Sequence, residues 1–325
     1  MTVLLLLGGL ALLIAGGDLL VRGAVAAASR FGVSPLVIGL TLVGFGTSTP
    51  ELVTSVQASL AGAPGIALGN IVGSNIVNIL LILGLSALLA PIAVQSGALK
   101  RDGVTLVGVT LAFVILSAHV PFGRLFGAIC IAGLVAYLVV AFRQESNAGA
   151  EHGAAYDKAE AAQSVDPALR PGADARPGWI RLMLTPVLGL VLVVVGGKLL
   201  VDGAVGLARS YGISETLIGL TIVAVGTSAP ELVTSVMAAI RRQADVAFGN
   251  VIGSNIYNIL GIGGLTALVA PTEVPLEIIR FDNPVMLTVT VLTVVFAATG
   301  LRIGRREGGI LIAGYVAYLA VLWPK

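Results

Sequence analysis

The sequence predicts an all-α integral membrane protein with ten transmembrane helices in two inverted five-helix repeats, with broken helices at the midplane. Three observations support this prediction. The chain of 325 residues is 57% hydrophobic and only 11% charged, whereas a soluble domain carries about 25% charged residues. Its apolar stretches are long enough to cross a bilayer, which takes about 20 residues. Finally, segment 34–91 recurs as 214–271 without a gap, with 34 of 58 positions identical.

Hydropathy divides the two halves of the chain into five apolar segments each. Because five is an odd number, the second repeat enters the membrane from the opposite side, and such inverted repeats are typical of secondary transporters. We expect the second, third, seventh and eighth segments to be broken, since polar residues and glycines interrupt them. The predicted spans are roughly 3–28, 34–60, 65–90, 103–119, 124–142, 182–208, 214–240, 246–270, 284–300 and 308–323.

One long polar connection separates the N-terminal half (1–142) from the C-terminal half (182–325). This connection, 143–181, contains prolines, many alanines and mixed charge, and is typical of a flexible, solvated tether. Its acidic residues lack the spacing of a Ca²⁺-binding loop. These acidic residues could still bind regulatory Ca²⁺, but a solvated tether is the interpretation that we favour.

The basic residues predict the orientation of the protein. If both termini lie outside, 14 Lys and Arg residues face the cytoplasm and 4 face the exterior, which follows the positive-inside rule. We expect a multi-pass protein of the cell membrane (inner or plasma) with a cytoplasmic linker. The net charge of +2 is explained by this topology and does not indicate nucleic-acid binding, and no obligatory protein partner is evident.

Residue composition also predicts how the helices pack. Glycine accounts for 42 of the 325 residues, and small residues allow membrane helices to approach closely. The single cysteine, Cys130, excludes an internal disulfide. Asp18 and Arg22 are four residues apart, so we expect them to pair along one helix face.

The first motif occurs in both repeats as Gly46-Thr47-Ser48-Thr49-Pro50-Glu51 and Gly226-Thr227-Ser228-Ala229-Pro230-Glu231. A carboxylate is costly inside a membrane and usually marks a functional site. Proline removes a backbone donor and frees a carbonyl. Carboxylates, hydroxyls and carbonyls together form an all-oxygen environment, which hard cations such as Ca²⁺ and Na⁺ prefer.

The second motif follows each glutamate-bearing segment and reads Gly-Asn-x-x-Gly-Ser-Asn-x-x-Asn. Ser74 and Asn78 share one face of a helix, as do Ser254 and Asn258. We interpret these four side chains as neutral oxygen ligands. The neighbouring asparagines are expected to hold bent backbone, namely Asn70, Asn75, Asn250 and Asn255.

Both doubled motifs and the ten-span layout resemble the α-repeats of the cation/Ca²⁺ exchanger superfamily, specifically its prokaryotic sodium/calcium exchangers. The resemblance implies alternating access to a central cation cluster, with Ca²⁺ and Na⁺ as transported ions and no cofactor. It implies shared carboxylate ligands at Glu51 and Glu231. The other positions that it implies as ligands are Thr47, Thr227, Ser48, Ser228, Ser74, Ser254, Asn78, Asn258, and the carbonyls of Gly44 and Ala224.

The resemblance further suggests flanking sodium sites at Ser74 with Gly44 and at Ser254 with Ala224. Asn258 stands where some microbial relatives carry aspartate. The proton-coupled branch typically has asparagine where Thr47 and Ser48 provide hydroxyls, which favours sodium as the coupling ion.

Several alternatives remain open at this point. A proton-driven Ca²⁺ antiporter, or one for another cation, is the alternative within the superfamily. Two membrane carboxylates could also serve an intramembrane hydrolase as acid and base, but no hydrolase motif accompanies them. A cation channel is a further alternative. A channel usually needs a continuous pore, often formed by several subunits, whereas an inverted repeat within one chain favours alternating access. An exchanger rather than an enzyme is the function that the repeated motifs favour.

Overall fold

The computed structural model describes residues 2–31, 42, 44–147, 154–170 and 179–323, and this part of the chain is predominantly helical. We label its longer helices in chain order. They are α1 (Thr2–Arg30), α2 (Thr49–Leu60), α3 (Pro64–Leu89), α4 (Leu99–His119), α5 (Arg124–Asn147), α6 (Ala154–Val165), α7 (Trp179–Tyr211), α8 (Glu215–Thr227), α9 (Ala229–Ile240), α10 (Ala244–Val269), α11 (Ile278–Ala298) and α12 (Arg305–Leu322).

Short elements connect these helices. A helical turn at Gly44–Gly46 precedes α2, and another at Ser96–Ala98 leads into α4. A 3₁₀ turn at Pro167–Leu169 follows α6. Strands β1 (Ile92–Ala93) and β2 (Arg302–Ile303) pair antiparallel, and so tie the end of α3 to the start of α12.

The apolar helices confirm a multi-pass membrane protein. Within the described residues, seven helices are long and apolar enough to cross a bilayer, and α8 with α9 makes an eighth if this bent pair forms one span. The first part of the predicted second span, 34–43, lies almost entirely outside the described residues. Helix α12 matches the tenth predicted span in position but is not among the seven. The count of ten therefore stays a prediction.

The seventh predicted segment is broken as expected, whereas the third and eighth are continuous helices, so the prediction of a break in these two is wrong. Helices α8 and α9 meet at an angle of 50°, and Pro230 lies in the first turn of α9, where its missing amide is not needed for helical hydrogen bonding. Pro50 has the same position in α2. Helices α3 and α10 instead continue through π-helical segments at Asn78–Leu83 and Tyr257–Gly263, a feature that often marks functional sites.

Glycines allow α1 and α7 to pack closely, as their abundance predicted. A Cβ atom at Gly16 would lie 2.7 Å from the backbone nitrogen of Val193, and a Cβ atom at Gly196 would lie 2.7 Å from that of Leu13. Both distances are too short for any side chain. Gly16 and Gly196, like Leu13 and Val193, occupy equivalent positions 180 residues apart, so the contact is symmetric between the repeats.

The linker contains a buried helix. The prediction of a solvated tether is wrong for 154–165, since these residues form α6 and most of its side chains are buried, including those of Asp157 and Lys158.

The predicted pair of Asp18 and Arg22 is confirmed, with 2.9 Å between Oδ1 and Nε. Arg22 also pairs with Asp166, just beyond α6, at 2.8 Å.

Candidate cation site

The two glutamates lie in the first turns of α2 and α9. Proline is the second residue of each of these helices, directly before the carboxylate. Glu51 and Glu231 are each only 1% exposed. The amides at the start of a helix carry partial positive charge, which favours a carboxylate there.

The two motifs are joined by a reciprocal pair of hydrogen bonds. Ser48 Oγ donates to Oε1 of Glu231 at 3.0 Å, and Ser228 Oγ donates to Oε1 of Glu51 at 3.0 Å. Each glutamate is therefore held by a serine of the other repeat. The structure brings the two predicted carboxylate ligands into one shared site.

Asparagines of the second motif support the backbone that carries the glutamates. Asn70 Nδ2 donates to the carbonyl of Glu51 at 3.1 Å, and Asn250 Nδ2 donates to the carbonyl of Glu231 at 3.3 Å. Asn75 Nδ2 likewise donates to a backbone carbonyl in its own helix, that of Ile71. The predicted role of these asparagines in holding the backbone is confirmed.

Several predicted ligands carry a buried oxygen that forms no hydrogen bond within the described residues. Buried polar atoms are nearly always paired in proteins, so a group of unpaired acceptors indicates a place for a ligand. Carboxylate, amide and hydroxyl oxygens form a donor set suited to a hard cation. These atoms are Oε2 of Glu51, Oε2 of Glu231, Oγ of Ser74, Oδ1 of Asn78 and Oδ1 of Asn258.

A lysine that the sequence analysis did not single out reaches into this site. The side chain of Lys158, in α6, is 0% exposed. Its Nζ lies 2.8 Å from Thr47 Oγ1, 2.5 Å from Ser254 Oγ, 3.2 Å from Glu231 Oε1 and 3.3 Å from Ser48 Oγ. All four partners are predicted cation ligands.

The contacts of Lys158 define two equivalent sets of oxygens. The first oxygen set contains the four partners of Lys158. The second oxygen set contains the residues displaced by 180 positions in the sequence, and the hydrogen bond between Ser228 and Glu51 belongs to it. The second set is Thr227, Ser228, Glu51 and Ser74.

The structure corrects the predicted pairing of the flanking positions. Ser254 shares Lys158 with Thr47, the residue that follows the turn containing Gly44. Ala224 instead lies beside Gly73, since a Cβ atom at Gly73 would be 2.9 Å from the Cβ of Ala224. Gly44 therefore belongs with Ser254, and Ala224 with Ser74. The predicted pairing was wrong because the motifs alone do not indicate which helices of the two repeats are neighbours.

The carbonyl of Ala224 is not free in this conformation. It accepts a hydrogen bond from the amide of Ser228 at 3.1 Å. In the first repeat, the amide of Ser48 donates instead to the carbonyl of Phe45, at 3.2 Å, and so bypasses Gly44. The two repeats thus differ at this carbonyl.

A buried pair of carboxylates held between two repeats of a membrane protein is suited to binding a cation, and the comparisons with known proteins show the class of cation transporters. The family model of the sodium/calcium exchanger protein matches residues 1–144 and 182–323. The chain belongs to this family of cation/Ca²⁺ antiporters, which are transporters and not enzymes. The matched residues leave out 145–181, so α6 lies outside the part described by the family model.

Individual relatives cover nearly the whole chain. The sodium/calcium exchanger MaX1 of Methanosarcina acetivorans is 38% identical over 342 residues, which cover 98% of each chain. The inner membrane protein YrbG of Escherichia coli is 35% identical, covering 98% of this chain and 96% of that one. The solved structure of the sodium-calcium exchanger NCX_Mj, soaked with Na⁺ and Ca²⁺, aligns with a TM-score of 0.62 and 33% identity over 99% of both chains.

Proposed function

We propose that this protein is a secondary active antiporter that exchanges Ca²⁺ for Na⁺ across the cell membrane. Its substrates bind between Glu51 and Glu231, with hydroxyl and amide oxygens of both repeats as further ligands. The observation that carries the proposal is the reciprocal pair of hydrogen bonds that connects each carboxylate to a serine of the other repeat. A divalent cation in a dry site needs nearby negative charge, and two carboxylates supply it.

The transport cycle follows from the duplicated architecture. The two halves, 1–142 and 182–325, form inverted repeats of five helices each, and the site lies at their interface. A site between inverted repeats becomes open to one side or the other when one repeat moves against the other. The proposed mechanism is therefore alternating access, with both termini outside and the linker 143–181 in the cytoplasm.

The charge of the site bears on the stoichiometry. Glu51 and Glu231 carry two formal negative charges, whereas Asn78 and Asn258 add oxygens without charge. One Ca²⁺ or two Na⁺ would neutralise the carboxylates. If Na⁺ fills both oxygen sets and one further position, the sodium-loaded carrier bears excess positive charge, and each cycle moves charge across the membrane.

The proposed direction is Ca²⁺ extrusion driven by inward Na⁺. A membrane potential adds about 2.3 kcal/mol per charge per 100 mV, so a negative cell interior favours net entry of positive charge. Na⁺ rather than H⁺ is the proposed coupling ion, since Thr47 and Ser48 stand where the resemblance implies asparagine in proton-coupled relatives.

Transport in proteoliposomes tests this proposal. Vesicles loaded with Na⁺ and diluted into Na⁺-free buffer should accumulate ⁴⁵Ca²⁺, and clamping the membrane potential with K⁺ and valinomycin should change the rate. A rate that does not respond to the clamp would indicate electroneutral exchange. Uptake driven equally well by a pH gradient without Na⁺ would favour a proton-coupled antiporter instead.

A further inference from the structure

Helix α6 connects the two halves of the protein. On one side, Ala159 and Ala162 of α6 pack with Val21 and Val25 of α1. On the other side, α6 lies against α10, where a Cβ atom at Gly253 would be only 2.9 Å from the carbonyl oxygen of Ala154. A helix held by both repeats opposes any movement of one repeat against the other.

Glycine on α10 is needed for this close approach at a second point. A Cβ atom at Gly249 would collide with the side chain of Asp157. Gly249 and Gly253 are four residues apart and therefore lie on one face of α10. They form a groove in which α6 comes close enough for Lys158 to enter the cation site.

The ammonium group of Lys158 has the surroundings of a bound cation. Four oxygens lie within 3.3 Å of Nζ, and one of them belongs to the carboxylate of Glu231. An ammonium group has three donors and no acceptor, so this position must offer oxygens with free lone pairs. A buried charge also requires a charged partner, and Glu231 provides it.

Comparison of the two oxygen sets indicates what Lys158 replaces. In the second set, Thr227 Oγ1 lies 2.9 Å from Oδ1 of Asn70. In the first set, the equivalent Thr47 binds Lys158 instead, and Oδ1 of Asn250 is left without a partner in the described part of the chain. The lysine breaks the symmetry between the two sets.

Both ends of α6 are held by residues outside the cation site. The amide of Ala154 donates to Oδ2 of Asp102 at 3.0 Å, and Arg241 Nη1 donates to the carbonyl of Ser164 at 2.6 Å. The residue equivalent to Asp102 in the second repeat is Asp282, which accepts a hydrogen bond from Tyr318 of its own repeat at 2.8 Å. The first repeat thus uses this aspartate to hold the linker.

We infer that α6 is an autoinhibitory plug, in which the Lys158 ammonium group occupies the first oxygen set and competes there with the transported cations. While α6 is docked, Ca²⁺ and Na⁺ cannot complete their coordination in the first set, and the two repeats are clamped together. Transport requires the helix to leave, and higher cation concentrations on the linker side displace it. The effect on transport rests on the proposed function, whereas competition for the site does not.

The expected effect can be expressed as an apparent affinity. When only a fraction of the protein is able to bind, the apparent dissociation constant is the intrinsic one divided by that fraction. If α6 is docked for about nine-tenths of the time, removing Lys158 should lower the half-saturating Ca²⁺ concentration about tenfold.

A transport experiment on the full-length protein tests the plug. Lys158→Met keeps the length of the side chain and removes its charge. It should lower the half-saturating Ca²⁺ concentration on the linker side about tenfold. Arg241→Ala weakens an anchor of α6 outside the cation site and should also lower the half-saturating Ca²⁺ concentration. Lys100→Met removes the charge of an exposed lysine and should leave the half-saturating Ca²⁺ concentration unchanged. A folded Lys158→Met protein with the same half-saturating Ca²⁺ concentration on the linker side as the wild type would overturn the inference.

A labelling experiment measures the plug without relying on transport. Ala155 is 1% exposed, so a cysteine there, in a Cys130→Ala background, should react slowly with a soluble maleimide while α6 is docked. Ca²⁺ or Na⁺ should accelerate the reaction severalfold. A rate that is the same with and without these cations would rule out the plug, even if exchange is normal. Acceleration by Ca²⁺ in a protein that shows no Na⁺-driven flux would support the plug and refute the proposed transport function.

Discussion

Ser48 donates a hydrogen bond of 3.0 Å to the carboxylate of Glu231, a residue 183 positions further along the chain. Ser228 makes the equivalent bond to Glu51. Each glutamate is thus positioned by a hydroxyl of the other repeat, and neither repeat can form the site alone. A cation bound here would contact both halves of the protein.

Removing one of these hydroxyls should weaken Ca²⁺ binding. A hydrogen bond to a charged group contributes about 1.5–3 kcal/mol, so Ser228→Ala should raise the half-saturating Ca²⁺ concentration about tenfold or more. Ser210→Ala is the matched control, because the Ser210 hydroxyl donates within its own helix to the carbonyl of Gly206, outside the site. The measurement is ⁴⁵Ca²⁺ uptake over a range of Ca²⁺ concentrations. Equal effects of the two substitutions would contradict the role of Ser228.

The asparagines should separate into ligands and supports. Asn258→Ala removes a neutral ligand and should weaken Ca²⁺ affinity less than the loss of a glutamate, with little change in thermal stability. Asn70→Ala leaves the Glu51 carbonyl and the Ser55 hydroxyl without their donor. Because an unpaired buried group costs about 1–3 kcal/mol, this variant should unfold at a clearly lower temperature in detergent. Similar melting temperatures for both variants would argue against this division.

The orientation of the protein can be tested by labelling two engineered cysteines in a Cys130→Ala background. Arg170, after α6, and Arg124, at the start of α5, are both exposed. We expect Arg170→Cys to react with an impermeant thiol reagent only in inverted vesicles, and Arg124→Cys to react in intact cells. The opposite pattern would show that the positive-inside count gave the wrong orientation.

Acidification should weaken Ca²⁺ binding. A carboxylate must be deprotonated to bind a metal ion, so protons compete with Ca²⁺ for Glu51 and Glu231. The half-saturating Ca²⁺ concentration should therefore rise as the pH falls from mildly alkaline to mildly acid. Asp245→Asn removes a carboxylate that binds Gln95 outside the site and should leave this dependence intact. An affinity that is constant over this range would be inconsistent with the proposed carboxylate site.

The features that the sequence predicted are those fixed by a local pattern or by the repeat. The doubled motif implied equivalent positions for Glu51 and Glu231, and the resemblance to the exchanger α-repeats implied that they share a site. Pro50 and Pro230 predicted the irregular backbone, since proline restricts the chain locally. The roles of Asn70 and Asn250 followed from the cost of leaving bent backbone without hydrogen-bond partners.

The features that the sequence did not predict depend on contacts between distant segments. The pairing of Ala224 with Ser74 depends on which helices are neighbours. The linker was interpreted as a tether from its polarity, although five alanines in 154–165 favour a helix. The position of Lys158 could not be predicted because it depends on the groove at Gly249 and Gly253, far along the chain.

In the proposed transport cycle, the two glutamates together bind the transported Ca²⁺. The most direct measurement is Na⁺-driven ⁴⁵Ca²⁺ uptake into proteoliposomes by the wild type, Glu51→Gln and Glu231→Gln, compared at equal amounts of folded protein. Glutamine keeps the size of the side chain and removes its charge, so a divalent cation is no longer neutralised. We predict robust uptake by the wild type and, for both variants, uptake no higher than that of protein-free vesicles. Uptake near the wild-type rate in either variant would contradict a cation site formed by this pair of glutamates.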